Sequence, residues 1–403
     1  MRRKKGFSVS SPTCSRRDFI RGTLSVATLL AAGCGASNGD SSSSVKGSQP
    51  AALMGGQGNA PYAAFLERNR SVMTLPGLPP TGLTYRVAMN SHGRGLVGGT
   101  NGINAYAAVV APDGTLTSIP GLIAPGEIYF VSINKLGNGM VGGGYQNSNI
   151  PFVALVSQDG IATPIAGLPA SGLIYGVVIE KTGAGIIGGV GPSGSAYAAL
   201  TALDGTLTPL AGLPSSGAIF WVSANDSGEK LIAGQNGSSA YAAFVSPDGQ
   251  LTPVADLPAG TVYSASINHR GNGIIGGTAS TFPYAALIAP NGTATTIPGL
   301  PTAPGIIYNV ALNQAGTGFI AGYSAGEPYG AFVSPDGNLK SLKGLPGGPG
   351  FLDGAALYNS GDAIVGGTSA NVPFAALVAP NGTLTFLNDL PSQGQINSIS
   401  IAA

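Results

Sequence analysis

The sequence predicts an all-β fold, a single eight-bladed β-propeller of four-stranded antiparallel blades closed by pairing of its N- and C-terminal strands. One observation is a repeat: an aromatic residue recurs at Tyr62, Tyr106, Phe152, Tyr197, Tyr241, Tyr284, Tyr329 and Phe374, at spacings of 43 to 46 residues. Periods of that length belong to one blade of a radial array. A second is the content of each unit, clearest from Gly260 to Leu300, where four short runs of β-prone residues are separated by glycine turns. The third is the ends. The chain enters the repeat at Ala52 to Gly56, written like a second strand, and leaves it at Ile396 to Ile401, written like a first strand. Each end lacks what the other has, so together they complete an eighth sheet, whereas an open solenoid would need capping repeats.

Residues 1–33 read as an export signal. Seven of the 18 basic residues lie in the first 21 positions, and Arg16 and Arg17 stand before Asp18-Phe19-Ile20, followed by a weakly apolar run from Gly22 to Gly33. This resembles a twin-arginine signal peptide, and the run is too short to span a membrane as a helix. Leu30 to Cys34 resembles a bacterial lipobox, with Ala31 where leucine is usual. That resemblance implies cleavage before Cys34 and acylation of Cys34, giving a lipid anchor in the membrane. With roughly 0.8 kcal/mol per buried methylene, several acyl chains hold far better than one. Gly35 after the cysteine implies sorting to the outer membrane or cell surface. Residues 34–51 thus comprise the lipidated cysteine and a flexible Ser-rich tether without apolar periodicity, and residues 52–403 form the propeller.

Within a unit the first strand, such as Tyr129 to Asn134 or Tyr308 to Asn313, is apolar almost without interruption, as expected for a strand covered on both faces. It runs into an Asn-x-x-Gly-x-Gly turn such as Asn268 to Gly273. There asparagine bonds its own main chain and glycine takes positive φ. The short second strand ends in paired glycines, as at Gly98-Gly99, Gly142-Gly143 and Gly366-Gly367, which marks a bulge or close backbone approach. The third strand, such as Tyr241 to Ser246, meets a Pro-Asp-Gly hairpin turn. The fourth is short and Thr-rich, as at Leu207 to Leu210, and a Gly-Leu-Pro connector then leads to the next unit.

These units also resemble the HAF-type extracellular repeat. Ala243-Phe244, the Asp248-Gly249 turn, Asn313 and the Val365-Gly366 terminus carry the likeness across roughly residues 52 to 401, although Gly-Leu-Pro replaces that repeat's longer glycine run. The resemblance implies a secreted or surface repeat protein.

Composition narrows the chemistry. Outside the first 21 residues, 11 basic residues face 16 acidic ones, a net −5, which provides no electrostatic footprint for nucleic acid. Both cysteines, Cys14 and Cys34, precede the repeats, so the propeller holds no disulfide and no thiolate metal site. Asp113, Asp159, Asp204, Asp248 and Asp336 occupy one turn position that Asn291 and Asn381 share, and an amide cannot serve as an acid or base. Glu127, Glu180, Asp226 and Glu327 are scattered and suggest no catalytic pair. His92 and His269 lie in distant units without ligating neighbours. No catalytic, cofactor-binding or metal-ligating residue is therefore assigned. What varies between units is the loop from second to third strand, as at Thr100 to Asn104 and Gly144 to Ile150, on the face expected to hold the inter-sheet connectors. Such loops suit a protein or glycan partner. Two function classes stay open: a non-catalytic binding or scaffold lipoprotein at the cell envelope, and an enzyme or cofactor-binding propeller exported in folded form.

Overall fold

The computed structural model describes residues 50–145 and 149–402. Arg16, Arg17, Cys34 and nearly all of the tether lie outside them, as do residues 146–148 of one variable loop. The described chain forms eight four-stranded antiparallel sheets. Blade I spans 83–118, from β4 (Leu83–Met89) through β5 (Gly95–Thr100) and β6 (Ala105–Val110) to β7 (Leu116–Ser118). Blades II to VII repeat it over 126–164, 173–209, 217–253, 260–296, 305–341 and 350–386. Blade VIII joins the chain ends: β32 (Gln395–Ile401) pairs with β1 (Ala52–Gln57), which continues into β2 (Pro61–Leu66) and β3 (Val72–Thr74). The first strands pack side by side around the ring, β32 lying between those of blades VII and I.

The six first strands whose start the sequence places at an aromatic begin two or three residues ahead of it, for example at Leu83 and not Tyr85. The reason is a β-bulge in all eight. In blade I, Thr84 pairs with Gly99 and Arg86 with Gly98, leaving Tyr85 as the extra residue. The equivalent extra residues are Tyr129, Tyr175, Phe220, Tyr263, Tyr308, Asp353 and Asn397. A bulge turns the strand and breaks side-chain alternation, so the aromatic no longer reads as the first residue of a regular strand.

The paired glycines follow from this geometry. The second of each pair lies under the bulge, where a Cβ at Gly99 would collide with the carbonyl oxygen of Leu83. The first lies at the blade interface: a Cβ at Gly55 would stand 2.5 Å from Val87 Cγ1, and Gly98, Gly142, Gly188 and Gly276 face Val131, Val177, Val222 and Val310 in the same way. Two blades carry alanine there, Ala233 and Ala321, and the residues in the facing position of the next blade are Ala265 and Ala355. Glycine meets a branched side chain and alanine meets alanine, so interface volume is conserved around the ring.

Polar links tie blade to blade. The Oδ1 of Asn90 accepts the N–H groups of His92 and Arg94 in its own turn (3.0 and 3.1 Å), while Nδ2 donates to the carbonyl of Asn134 in the next blade (3.1 Å). Asn134, Asn225, Asn268 and Asn313 donate likewise to Glu180, Asn268, Asn313 and Tyr358. Tyr358 replaces asparagine in blade VII, and its hydroxyl reaches the carbonyl of Ala51 (3.2 Å) across the closure. Along the axial edges, Ser132, Ser223, Ser264, Ser266, Ser398 and Ser400 accept N–H groups from the next first strand at 2.9 to 3.3 Å. Those strands would otherwise present unpaired edges.

Two outcomes follow for stability. Gly98→Ala should destabilise the protein by about 1–3 kcal/mol through overpacking, and adding Val131→Ala should recover part of the loss, a coupling that a urea-unfolding double-mutant cycle measures. Deleting residues 395–403 removes the buried Ile396 and Ile399 and reopens the ring. Burial of an Ile contributes about 1.5–3 kcal/mol, so the truncated chain should lose roughly several kcal/mol of stability, melt at a lower temperature and scatter light through its open sheet edge. An unshifted transition without aggregation would show that the ring is closed by something else.

Candidate functional site

The loops and connectors do share one face. Thr81 in the connector to blade I donates to the carbonyl of Asn101 in that blade's variable loop (2.7 Å), and Gly126 N–H donates to Ile103 O (3.1 Å). Similar bonds join Gly237 to Ser216 and Gly260 to Ser238. Ile103 and Phe282 are exposed on this face. Toward its rim, a cleft of about 460 Å³ lies between the Gly121–Ile123 and Leu168–Pro169 connectors, with Tyr145, Ile150 and Phe152 in its wall.

Each first strand starts at this face, so its residues descend along the axis in tiers. The upper tier holds Leu83, Glu127, Leu173, Ala218, Thr261, Ile306, Phe351 and Gln395. The bulged residues follow. Tyr85, Tyr129, Tyr175, Phe220, Tyr263 and Tyr308 form an arc of six rings, each meeting the next at centroid distances of 5.5 to 6.3 Å. Phe351 of the upper tier extends it at 5.8 Å from Tyr308. An octagon's radius is about 1.3 times its side, so spacings of 5.5 to 6.3 Å place the centroids about 7–8 Å from the axis of an eight-bladed ring. Asp353 and Asn397 complete the tier with polar groups.

Below stand Arg86, Phe130, Gly176, Trp221, Ser264, Asn309, Gly354 and Ser398. The Arg86 guanidinium carbon lies 5.4 Å from the Phe130 ring centre and 4.8 Å from that of Trp221, and the two rings meet edge to face at 5.0 Å. Trp221 belongs to blade IV, three steps from blade I, so these side chains meet across the axis. Arg86 is only 8% exposed. Burial lowers its pKa, and the field of Asp353 works in the opposite direction. Asn397, in the bulged tier, accepts a hydrogen bond from Gln395 and donates to Thr84 O (2.9 Å).

Apart from Glu127, which stands in the upper tier, the turn acids and the histidines singled out by the sequence fall elsewhere. Asp113 and Asp204 accept the N–H groups of Thr115 and Thr206 at 2.9 Å, and Asn291 and Asn381 do the same for Thr293 and Thr383. These bonds hold the two carboxyls below their usual range. Ser246 donates to Asp248, and Ser334 to Asp336. His92 and His269 are exposed in first turns on the opposite face, blades I and V. Among the described residues no group of three His, Cys, Asp or Glu side chains is placed to hold a metal ion. Glu180 does have a partner: it takes the belt asparagine's position in blade III and meets Lys230 Nζ at 2.6 Å, with Lys230 buried. The spacing alone did not reveal that pair, although Glu180 is the one acid that breaks the asparagine pattern.

Phenols respond to the same burial. Desolvation pushes Tyr308 far up, with Tyr323, Asp353 and Tyr263 adding to it, and it raises the third-strand Tyr62 and Tyr241 to about 12. A group whose folded pKa exceeds its unfolded value near 10 contributes stability that is intact below pH 10 and is lost as the pH climbs toward 12. Denaturant unfolding should therefore weaken over that window, and Tyr62→Phe with Tyr241→Phe should flatten the profile.

No family model and no curated protein matches the sequence. Solved structures do match. Dihydro-heme d1 dehydrogenase NirN in complex with DHE aligns with a TM-score of 0.60 at 10% identity, covering 87% of this chain and 75% of that one. The Dos1 propeller gives 0.56 at 11%, covering 77% and 85%. Virginiamycin B lyase from Staphylococcus aureus gives 0.51 at 11%, covering 76% and 95%. At these identities the likeness is of fold, and it places the chain among β-propellers.

Proposed function

We propose that this protein is an exported, lipid-anchored binding or scaffold module at the cell envelope, engaging a protein or glycan partner without chemistry of its own. The observation that carries this reading is the gathering of the variable loops and the inter-blade connectors on one face of a closed, mutually braced ring. Recognition residues placed on loops over a rigid frame can vary without disturbing the fold. The HAF-type likeness of the units fits a secreted or surface protein. The twin-arginine resemblance at Arg16 and Arg17 fits a ring that must close before export, and the lipobox-like run before Cys34 fits an anchor at the outer membrane or cell surface. The second reading, an enzyme or cofactor propeller exported in folded form, draws on the same signal. An absorbance spectrum and metal analysis of the purified protein separate the two, because a stoichiometric chromophore or metal would overturn the first.

The anchor is tested by fractionation. Cys34→Ala should move the protein from the membrane fraction to the soluble one, and unchanged retention would refute lipidation. Arg16→Lys together with Arg17→Lys should leave unprocessed precursor inside the cell. Envelope extract passed over the immobilised propeller should then yield a partner whose capture falls when Asn101 and Ile103 are changed to alanine.

A further inference from the structure

On the face opposite the variable loops, three turn positions depart from what the other blades place there. The hairpin turn between third and fourth strands closes on a polar residue, as at Thr115, Thr206 and Gln250, but on Ile161 in blade II. Proline precedes the Asp or Asn of that turn in five blades, and Leu203 stands there in blade III. In the first turns, the place of Leu136 is held elsewhere by His92, Thr182, Ser227, Arg270, Ala315 or Ser360. Leu136, Ile161 and Leu203 are 59%, 62% and 68% exposed. They share one sector: Gln158 donates to the Leu136 carbonyl (2.6 Å) beside Ile161, and the hairpin of blade III leans on blade II, where a Cβ at Gly205 would lie 3.6 Å from Ile165 Cγ1. In the turns of these two blades Lys135 and Lys181 balance Asp159 and Asp204, while Glu180 is taken up by Lys230 and Lys135 faces Asp226 at 3.9 Å. The chain enters the ring on this same face. Ala51 N–H donates to Leu66 O, its carbonyl accepts the Tyr358 hydroxyl, and it lines a cleft with the turn residues Glu67, Arg68 and Ser360.

We propose that this turn face is a membrane-docking surface, on which Leu136, Ile161 and Leu203 enter the headgroup region of the bilayer that holds the lipid anchor. The docking face rests on the anchored reading of Cys34 and adds to it an orientation. Exposed apolar side chains grouped on a surface mark a contact with protein or membrane, and the entry point decides between them. From Cys34 to Pro50 the chain runs 16 residues, and a Ser-rich coil of that length has a reach of about 20–25 Å. An anchor at Cys34 therefore keeps the entry face, and not the loop face, close to lipid. Docking is then intramolecular, at an effective concentration on the order of millimolar, so that three side chains suffice where each alone is weak. Balanced charge around the apolar tips suits zwitterionic lipid and gives no preference for anionic headgroups. The ring is held at two places, blade VIII through the tether and blades II and III through their tips, and the variable loops are turned toward the medium, where a partner meets them.

The test supplies the anchor chemically, so it reads the face whether or not cells acylate Cys34. With Cys14→Ser, Cys34 is the single thiol of the chain and can be coupled to a maleimide-bearing lipid in phosphatidylcholine vesicles. Hydroxyl-radical oxidation read by mass spectrometry then reports side-chain exposure in the coupled and the free chain. Leu136, Ile161 and Leu203 should oxidise at least about fivefold more slowly when coupled, the figure for a face docked four-fifths of the time. Ile103, exposed on the loop face, should be unchanged. Leu136→Ser with Leu203→Pro places there the residues that blade IV carries as Ser227 and Pro247, and should return Ile161 to its free rate. Protection should persist at high salt, because no net charge holds the contact. Equal oxidation of the three tips in coupled and free chains, protection of Ile103 in their place, or protection that survives the double substitution would overturn the docking face. So would protection that needs anionic lipid, or that arises in the free chain through self-association.

Discussion

The first strand of every blade carries one residue more than the strand it pairs with, and much of the molecule is arranged around that mismatch. Two residues opposite one force the first strand to bend, and the backbone carbonyl it pushes toward its neighbour leaves room only for glycine beneath it, as Leu83 does over Gly99. The extra residue is turned out of the alternating pattern, into a tier where it meets its counterparts from the neighbouring blades. Six of the eight being aromatic, the bulge converts a sheet irregularity into a continuous arc around the axis. Side chains of the next tier are delivered to the axis itself by the same turn of the strand.

Blades so shaped must also fit one another, and here two independent devices operate. The volume rule at the interface, glycine against valine and alanine against alanine, fixes how closely consecutive sheets approach. The asparagine belt fixes their angular order, because each side chain braces its own turn and grips the next with the same amide. Where asparagine is missing the link is rebuilt differently: the ion pair of Glu180 with Lys230 joins blades III and IV, and the Tyr358 hydroxyl joins blade VII to the seam. Buried polar groups are costly unless partnered, so a belt in which a break is compensated by a different chemistry is a constraint on the whole ring and not on one turn. The seam itself combines main-chain pairing of β1 with β32 and bonds from Val87 and Met89 to Ser398 and Ser400.

Architecture was legible in the sequence because it is written eight times. The period, the turn residues and the complementary ends each depend on local chemistry that repeats, and the turn role of Asp113 or Asn291 could be read from their interchangeability alone. The bulge was less visible: a strand starting at Leu83 and one starting at Tyr85 differ only in whether alternation is interrupted, and nearly continuous apolar runs hide that interruption. The second grip of the asparagines was invisible for another reason. Their carbonyl partners lie a full repeat away, at separations of 43 to 46 residues, and a motif read inside one unit contains no record of its neighbour. The axial cluster was hidden most completely. Arg86, Phe130 and Trp221 share a tier only because the ring closes, and each looks like an ordinary variation on its own strand.

The two buried cations show how differently a repeat protein can treat a break in its pattern. Lys230 and Arg86 are equally withdrawn from water, at 3% and 8% exposure. Lys230 answers a structural need, since Glu180 has displaced the amide that would have joined two blades, and a carboxylate at 2.6 Å balances its charge. Arg86 answers none. Glycine, serine and asparagine occupy its position elsewhere without loss of the blade, and a cation held by aromatic faces retains much of its desolvation cost, several kcal/mol per ion in a protein interior. The symmetric parts of this ring are explained by packing, and its asymmetric part is a guanidinium held by two aromatic supports, the carbonyl of Asn397 across the seam and the field of Asp353.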